Sequence, residues 1–478
     1  MVAGTTSNVG KTSISIGLMR NLKLRGFVVG AAKVGPDYID PSFHRVATSR
    51  PSYNLDLFMT GAHGVCRSFD RCAANANLVV IEGVMGLFDG TDKCGIDDNS
   101  IDFPCECASN TKDFGGRYST AAVAKLLNTP ILLVLDARSM SHSVAAVVQG
   151  FQSNLPDKML SGVILNRIKS PRHGELLTQA LDSIGIRVLG AIPDGATPHF
   201  KSRHLGLIPT EFSSDSYMSE IDSLGQVVET HCNMREILNS FKPPVLCEKS
   251  KITTPLTQRH PTVKIGVAQG KAFSFNYQEN LDILEEAGAE LIGFDPSCDE
   301  LPSEIDALII GGGFPQLFGP EIQANNELIR QTNEARKNNM PIWAECGGMM
   351  WLAETIDGTK GVGIIASEIE MSSKLTLGYR VAVSRLSNLL FSSNETIYAH
   401  EFHYSIATPP GNLLVDISNN KTLGGFGDST LFASYLHIHL AGNPRAKDSF
   451  IQAAKKFREN RTQMVIEGSS QNTENKAR

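Results

Sequence analysis

No apolar stretch of this chain approaches the roughly 20 residues that a membrane-spanning helix needs. The longest runs, such as 131–135, end within a few residues at a charge. Long Lys/Arg runs are also missing, and the net charge is −6. Nucleic acid and acidic membrane surfaces are thereby excluded as main partners, which leaves small-molecule chemistry. The nine cysteines form no CxxC framework. A chain of this size needs no disulfide staples, so a reducing compartment is expected. Little precedes the glycine-rich loop that opens at Gly4, which leaves no room for a cleaved signal peptide. Either the first strand is short or the chain start is trimmed. The expected location is the cytoplasm, with an organelle as the alternative in the trimmed case.

What is present is enough apolar sequence, 41% over 478 residues, to build cores for at least two domains. Strand-length apolar runs at 27–34, 78–81, 130–135, 162–165 and 186–192 alternate with amphipathic helical spacing at 12–25, 118–128, 141–152 and 174–184. Continuous apolar strands predict a parallel sheet covered on both faces, hence a doubly wound α/β domain over 1–240. A polar, Pro/Lys/Thr-rich linker is expected at 241–262. A second α/β domain follows over 263–462, with strands at 263–268, 290–294, 307–310 and 341–344. The tail, 463–478, is expected to be disordered. The segment 93–116 carries Cys94, Cys105 and Cys107 without metal-site spacing and is expected as a solvated loop.

The segment GTTSNVGKT (Gly4 to Thr12) is a phosphate loop, although Thr5 stands where the first Walker glycine is usual. Gly4, Thr5, Asn8, Val9 and Gly10 supply a turn whose backbone N–H groups point at phosphates. Lys11 stands beside them, and Thr12 is a Mg²⁺ ligand at a helix N-terminus. Further on, KVGPDYIDPSFH (Lys33 to His44) and IEGVMGLFDG (Ile81 to Gly90) follow buried strands. They place a lysine and several carboxylates at the carboxyl ends of a parallel sheet, where ligands bind. Glu82 is the candidate for a second Mg²⁺ contact. Isolated carboxylates at strand ends also serve as helix caps, and that alternative is strongest for Asp89.

Met340 to Trp351 (MPIWAECGGMMW) reads as strand, sharp turn and helix with Cys346 at the turn, a nucleophile elbow. The helix N-terminus favours a thiolate there. Gly311-Gly312-Gly313 follows a strand and can present N–H groups to an oxyanion, with Gly347 a further donor. Four histidines, His400, His403, His437 and His439, compete for the role of base.

These motifs resemble one family in their order along nearly the whole chain, from Gly4 to about Asn443. GTxSxxGKT resembles the loop of dethiobiotin synthetase and the cobyrinic and cobyric acid synthases, in which ATP phosphorylates a carboxylate or carbamate. KxGPDYxDPxFH and EGxMGLFDG are similar to signatures of the cobyrinic acid a,c-diamide synthases. The resemblance implies a dethiobiotin synthetase-like P-loop domain followed by a class I glutamine amidotransferase-like domain. It implies substrate activation by Lys33, Asp37, Tyr38, Asp40 and Asp89, and an ATP contact by Asn166, whose alternative is a plain turn residue. Arg203 and His204 resemble an RHLGLxP segment that meets substrate carboxylates. Gly311 to Gln316 resembles a GGGYPE loop, with Phe314 and Gln316 in place of Tyr and Glu. The SYLHxH segment points to His437 as the base of Cys346. A Glu usually stands two residues after this His; His439 stands there instead, so a Cys-His dyad is implied.

The implied activity is ATP-dependent, Mg²⁺-assisted amidation of a tetrapyrrole's carboxylates with glutamine as nitrogen donor. A homodimer is carried as one assembly option. The alternatives are the same chemistry on a nickel sirohydrochlorin, or a P-loop switch carrying an inert glutaminase domain.

Overall fold

The computed structural model describes residues 1–91, 115–198, 214–243, 261–417 and 420–476, and forms two compact units, Met1–Ile252 and Thr253–Arg478. Cys94, Cys105, Cys107, Arg203, His204 and most of the expected linker lie outside the described residues.

The first unit has seven strands among its described residues: β1 (Val2–Gly4), β2 (Val29–Val34), β3 (Ser52–Leu55), β4 (Leu78–Glu82), β5 (Ile131–Asp136), β6 (Leu160–Ile168) and β7 (Val188–Pro193). They form one sheet in the order β3-β2-β4-β1-β5-β6-β7, and every pair is parallel. Parallel pairs need crossovers, which are supplied by helices: α1 (Lys11–Leu24), α2 (Ile39–Thr48), α3 (Leu57–Ala73), α4 (Thr120–Leu126), α5 (Ser143–Ser153) and α6 (Pro171–Asp182). After β7 come α7 (Ser214–His231) and α8 (Met234–Asn239). Successive strand residues face opposite sides, so Val2, Leu132 and Val134 join one core with α1, α2, α7 and α8. Ala3, Leu133 and Leu135 join the other with α4, α5 and α6. Helix starts are set by local chemistry. For example, Ser170 Oγ accepts from His173 N and Pro171 occupies the first turn of α6.

Sequence periodicity assigns nothing to 41–77, where the structure has most of α2 together with β3 and α3. Gly61 (φ 66°) interrupts α3 and breaks its helical spacing. Cys66 of α3 is disulfide-bonded, against the expectation that the cysteines stay unpaired.

The second unit begins with β8 (Val263–Ala268), α9 (Gln278–Glu286), β9 (Ala289–Phe294) and β10 (Ala307–Ile310). A 3-10 turn (Pro315–Phe318), α10 (Gly319–Ala324), α11 (Asn326–Lys337), β11 (Ile342–Glu345) and α12 (Gly347–Leu352) follow. Then come nine strands among the described residues: β12 (Thr355–Ile356), β13 (Thr359–Lys360), β14 (Glu368–Ser384), β15 (Thr396–Thr408), β16 (Leu414–Asp416), β17 (Lys421–Gly424), β18 (Phe426–Asp428), β19 (Leu431–Ser434) and β20 (Leu436–Ile438). The last element is α13 (Pro444–Lys476). One sheet runs β18-β19-β11-β10-β8-β9, parallel except for the edge strand β18. Beside it lies a largely antiparallel sheet, β13-β12-β14-β15-β20, with β16 attached to β14 and β17 to β16. The chain therefore passes from one sheet to the other between β19 and β20, and this passage positions the second site. The tail expected to be disordered continues α13 to Lys476. Ala446, Phe450, Ile451 and Ala454 anchor this helix in the core, and extending a nucleated helix costs little.

Candidate active sites

Gly4 ends β1, and the chain turns through 5–10 before α1 starts at Lys11. Asn8 (φ 61°) and Gly10 (φ 100°) make the turn in left-handed conformations. A Cβ on Gly10 would also stand 2.3 Å from Asn166 Nδ2, so only glycine fits. The loop is braced from behind by β6: Asn166 Nδ2 donates to Val9 O at 2.8 Å. Arg167 Nη1 donates to Asn8 O at 3.0 Å and pairs with Asp136 at 2.6 Å. The N-terminus of α1 opens onto the loop, and its orphan amides and dipole favour phosphate. Lys11 Nζ donates across the loop to Thr6 O at 3.0 Å. Burial, and then the charge of Lys33, hold this lysine below its ordinary range.

β1, β2 and β4 are neighbours, with Val2 and Lys33 both in register with Glu82, so their carboxyl ends converge. Lys33 Nζ donates to Asp40 Oδ2 (2.6 Å), Glu82 Oε1 (2.8 Å) and Gly83 O (3.2 Å). Glu82 is fully buried; its Oε1 also accepts from Thr12 Oγ1 at 2.6 Å. Its Oε2 meets His44 Nε2 at 2.8 Å, while His44 Nδ1 lies 3.1 Å from Ser52 Oγ. Burial alone would raise Glu82, but the Lys33 charge and the His44 hydrogen bond hold it well below the usual carboxylate range. Burial, and then the charge of Glu82, push Asp40 well above that range. Burial opposes the charged form of Lys33, yet Asp40 and Glu82 outweigh it and raise the ammonium above its ordinary value. Thr12 Oγ1 also lies 3.5 Å from Asp40 Oδ2. A hydroxyl and two carboxylates are hard oxygen donors of the kind Mg²⁺ takes, so these residues fit that ion.

In the second unit Cys346 stands between β11 and α12 at φ 47° and ψ −105°, a conformation rarely adopted outside constrained sites. Cys346 N donates to Ser434 O at 2.7 Å and Sγ lies 3.6 Å from Phe402 O. The β11–β19 pairing sets Ser434 opposite Glu345, and three residues later the chain delivers His437. His437 is buried, its ring against Gly312, where a Cβ would stand 2.6 Å from Cε1. Burial opposes its charged form, but hydrogen bonds to Cys346 and Glu345 and their charges raise it to about 9. Glu345 Oε2 lies 3.6 Å from His437 Nδ1, and Glu345 Oε1 accepts from Trp343 Nε1 and Ile438 N, each at 2.9 Å.

The other histidines have other surroundings. His400 faces His437 across the β15–β20 ladder; burial, then the charges of His437 and Arg380, lower it to about 3. His403 bonds Ser405 O (2.8 Å) and Glu401 Oε1 (3.0 Å) and stacks on Tyr435 at 3.7 Å. His439 lies 3.8 Å from Glu279 and packs on Tyr277 at 4.9 Å.

Two domain models match the chain: the CobQ/CobB/MinD/ParA nucleotide binding domain over residues 1–227, and the CobB/CobQ-like glutamine amidotransferase domain over 264–445. A hydrogenobyrinate a,c-diamide synthase of Streptomyces coelicolor is 35% identical, covering 95% of this chain and 97% of the relative. Cobyrinate a,c-diamide synthases of Caldanaerobacter subterraneus subsp. tengcongensis and Synechococcus sp. are 36% and 37% identical, covering 96% and 95% of this chain and 98% of each relative. The chain belongs to the cobyrinate/hydrogenobyrinate a,c-diamide synthase family.

Within this a,c-diamide synthase, the structure gathers Lys11, Thr12, Lys33, Asp40 and Glu82, and separately Cys346 with His437. Some expected site residues are engaged elsewhere. Asp37 Oδ1 accepts from Ile39 N (2.8 Å) at the start of α2, where Tyr38 is the N-cap, and Asp89 Oδ2 accepts from Gly86 N (2.8 Å) within its own turn. Both carboxylates still contribute charge, Asp37 at Lys33 and Asp89 at Lys11. Asn166 spends its amide N–H on the phosphate loop, and Thr5 N donates to Val134 O at 3.0 Å. Gly312 is corrected as an oxyanion donor, because its N–H donates to Phe275 O at 3.1 Å. Gly313 and Gly347 remain beside Cys346, and a Cβ on Gly347 would stand 2.8 Å from Gly313 N. Sequence reasoning assigned no role to His44 or Glu345. The available signal was a charged residue at the end of an apolar, buried strand or helix, which needs a partner to be stable there.

Proposed function

We propose that the chain is an ATP-dependent, glutamine-hydrolysing amidotransferase that converts the a and c acetate carboxylates of cobyrinate or hydrogenobyrinate into carboxamides. The observation that carries this reading is one chain holding two reaction centres: a phosphate loop beside Lys33, Asp40 and Glu82, and a strained Cys346 whose neighbour in the fold, the buried His437, is raised by it and by Glu345.

A free carboxylate resists attack by ammonia, so it is first activated. In the first unit a substrate carboxylate oxygen attacks the γ-phosphorus of ATP, ADP departs and an acyl phosphate forms. Lys11 and the loop amides hold the phosphates, and Lys33, which stays charged at working pH, neutralises charge on the transferring group. Thr12, Glu82 and Asp40 would hold Mg²⁺, which would supply charge neutralisation to the phosphates. In the second unit the Cys346 thiolate attacks the glutamine carboxamide, and the oxyanion is received by the Gly313 and Gly347 amides. His437 gives its proton to the departing ammonia and later takes one from the water that releases glutamate. Ammonia then displaces phosphate from the activated carboxyl.

Cys346→Ser tests the division of labour. Glutamine-driven amidation is expected to vanish while ammonium salts still support it, with products of cobyrinate and hydrogenobyrinate weighed by mass spectrometry. Retained glutamine use, or product only from nickel sirohydrochlorin, would overturn the reading.

A further inference from the structure

The position two residues after His437, where a class I glutaminase usually carries its third residue, is His439, and His439 turns to Glu279 at 3.8 Å instead. An imidazole that must take and return a proton still needs its ring held and its positive form stabilised. Glu345, the residue immediately before the nucleophile, meets that need from the other side. It is 6% exposed at the end of β11, and its Oε2 stands 3.6 Å from His437 Nδ1. Its Oε1 is pinned by Trp343 Nε1 on its own strand and by Ile438 N, the residue after His437, both at 2.9 Å. One carboxylate thus fixes the backbone next to the histidine and faces its ring. Separations of this size are usual in unliganded sites and tighten when substrate binds.

We infer that Glu345 is the positioning residue for His437, so that the synthase works with a Cys346-His437-Glu345 triad whose acid precedes the nucleophile in sequence. The inference rests on the reading that Cys346 and His437 hydrolyse glutamine. The carboxylate receives the Nδ1–H of His437, leaving Nε2 to exchange the proton with the thiol and the leaving ammonia.

The test is Glu345→Gln, assayed for glutamate release from glutamine over pH 5 to 10, with Glu345→Asp and Cys346→Ala alongside and thermal melts as a fold control. Gln can still accept from Trp343 and Ile438 but offers no charge to the ring. A loss on the order of 10³-fold in kcat is expected. The alkaline limb set by His437, near pH 9 in the parent, should also move to lower pH by about one unit. Glu345→Asp, which keeps the charge, should return the limb towards the parent position even if its rate stays low. A Gln variant with a normal melt and an unmoved limb, whatever its rate, would overturn the triad while leaving Cys346 as nucleophile. Glutamate release by Cys346→Ala would instead sink the glutaminase reading beneath it.

Discussion

Asn166 shows how one side chain can serve a site without meeting the ligand. Its Nδ2 donates to Val9 O, directly behind Gly10, so removing the amide frees the loop at its tightest point. Asn166→Ala leaves a buried carbonyl unpaired, at a cost of about 1–3 kcal/mol. The KM for ATP is expected to rise about tenfold with either nitrogen donor, read by steady-state kinetics. An unchanged KM would return Asn166 to an ordinary turn residue. At this scale the contiguous motifs were legible: Lys33 and Glu82 stand at strand ends, and Lys11, Thr12 and Asp40 in the first turns of the helices that follow strands, where a parallel sheet gathers charge. Less legible were the uses of individual hydrogen-bonding atoms. Nothing in the string says that Asp89 closes its own turn, or that Phe275 occupies the Gly312 amide.

At the scale of elements, the β15–β20 ladder sets two histidines side by side with opposite shifts. His437 has a folded value of about 9 against 6.5 for an ordinary histidine. Its stabilising contribution is therefore complete below about pH 6.5 and lost as pH rises through 9. His400, at about 3, has the opposite sense: below pH 6.5 the unfolded chain takes up a proton that the folded one refuses, so stability falls towards pH 3. Urea midpoints from this pair should be highest near pH 6.5, and His400→Gln should flatten the acid limb. An acid limb of unchanged steepness would rule out this assignment. Most parallel strands of both units were legible because their apolar runs are continuous; β3 and β19, each four residues long, were not assigned. The long β14–β15 pair was not legible, since Ile369 is the only buried residue of β14 before Val381 and a bulge between Met371 and Thr376 breaks the period-2 pattern. The strand β20, three residues long, is too short to announce itself by pattern.

For the whole molecule, the consequence of two reaction centres is that the nucleotide site is required whatever the nitrogen source. Lys11→Ala is expected to abolish amidation with both glutamine and ammonium, in contrast to Cys346→Ser. It should also remove the stabilisation that Mg²⁺·ATP confers, about 2.7 kcal/mol at a hundredfold excess over Kd, measured as the shift in urea unfolding. Persistent stabilisation in that variant would place the nucleotide elsewhere.

The chemistry of the synthase was written in the sequence by itself: a phosphate loop, carboxylates after buried strands, a cysteine at an elbow, all in one order along the chain. Such features are local, since backbone turns and strand ends depend on residues that are neighbours in sequence. Tertiary structure alone decided the partnerships. His44 reaches Glu82 across 38 residues and Ile438 reaches Glu345 across 93. His439 turns away to Glu279, and the Gly312 amide is taken by Phe275. These contacts follow from strand register and from where the chain crosses between two sheets, and a one-residue slip in either would exchange every partner for another.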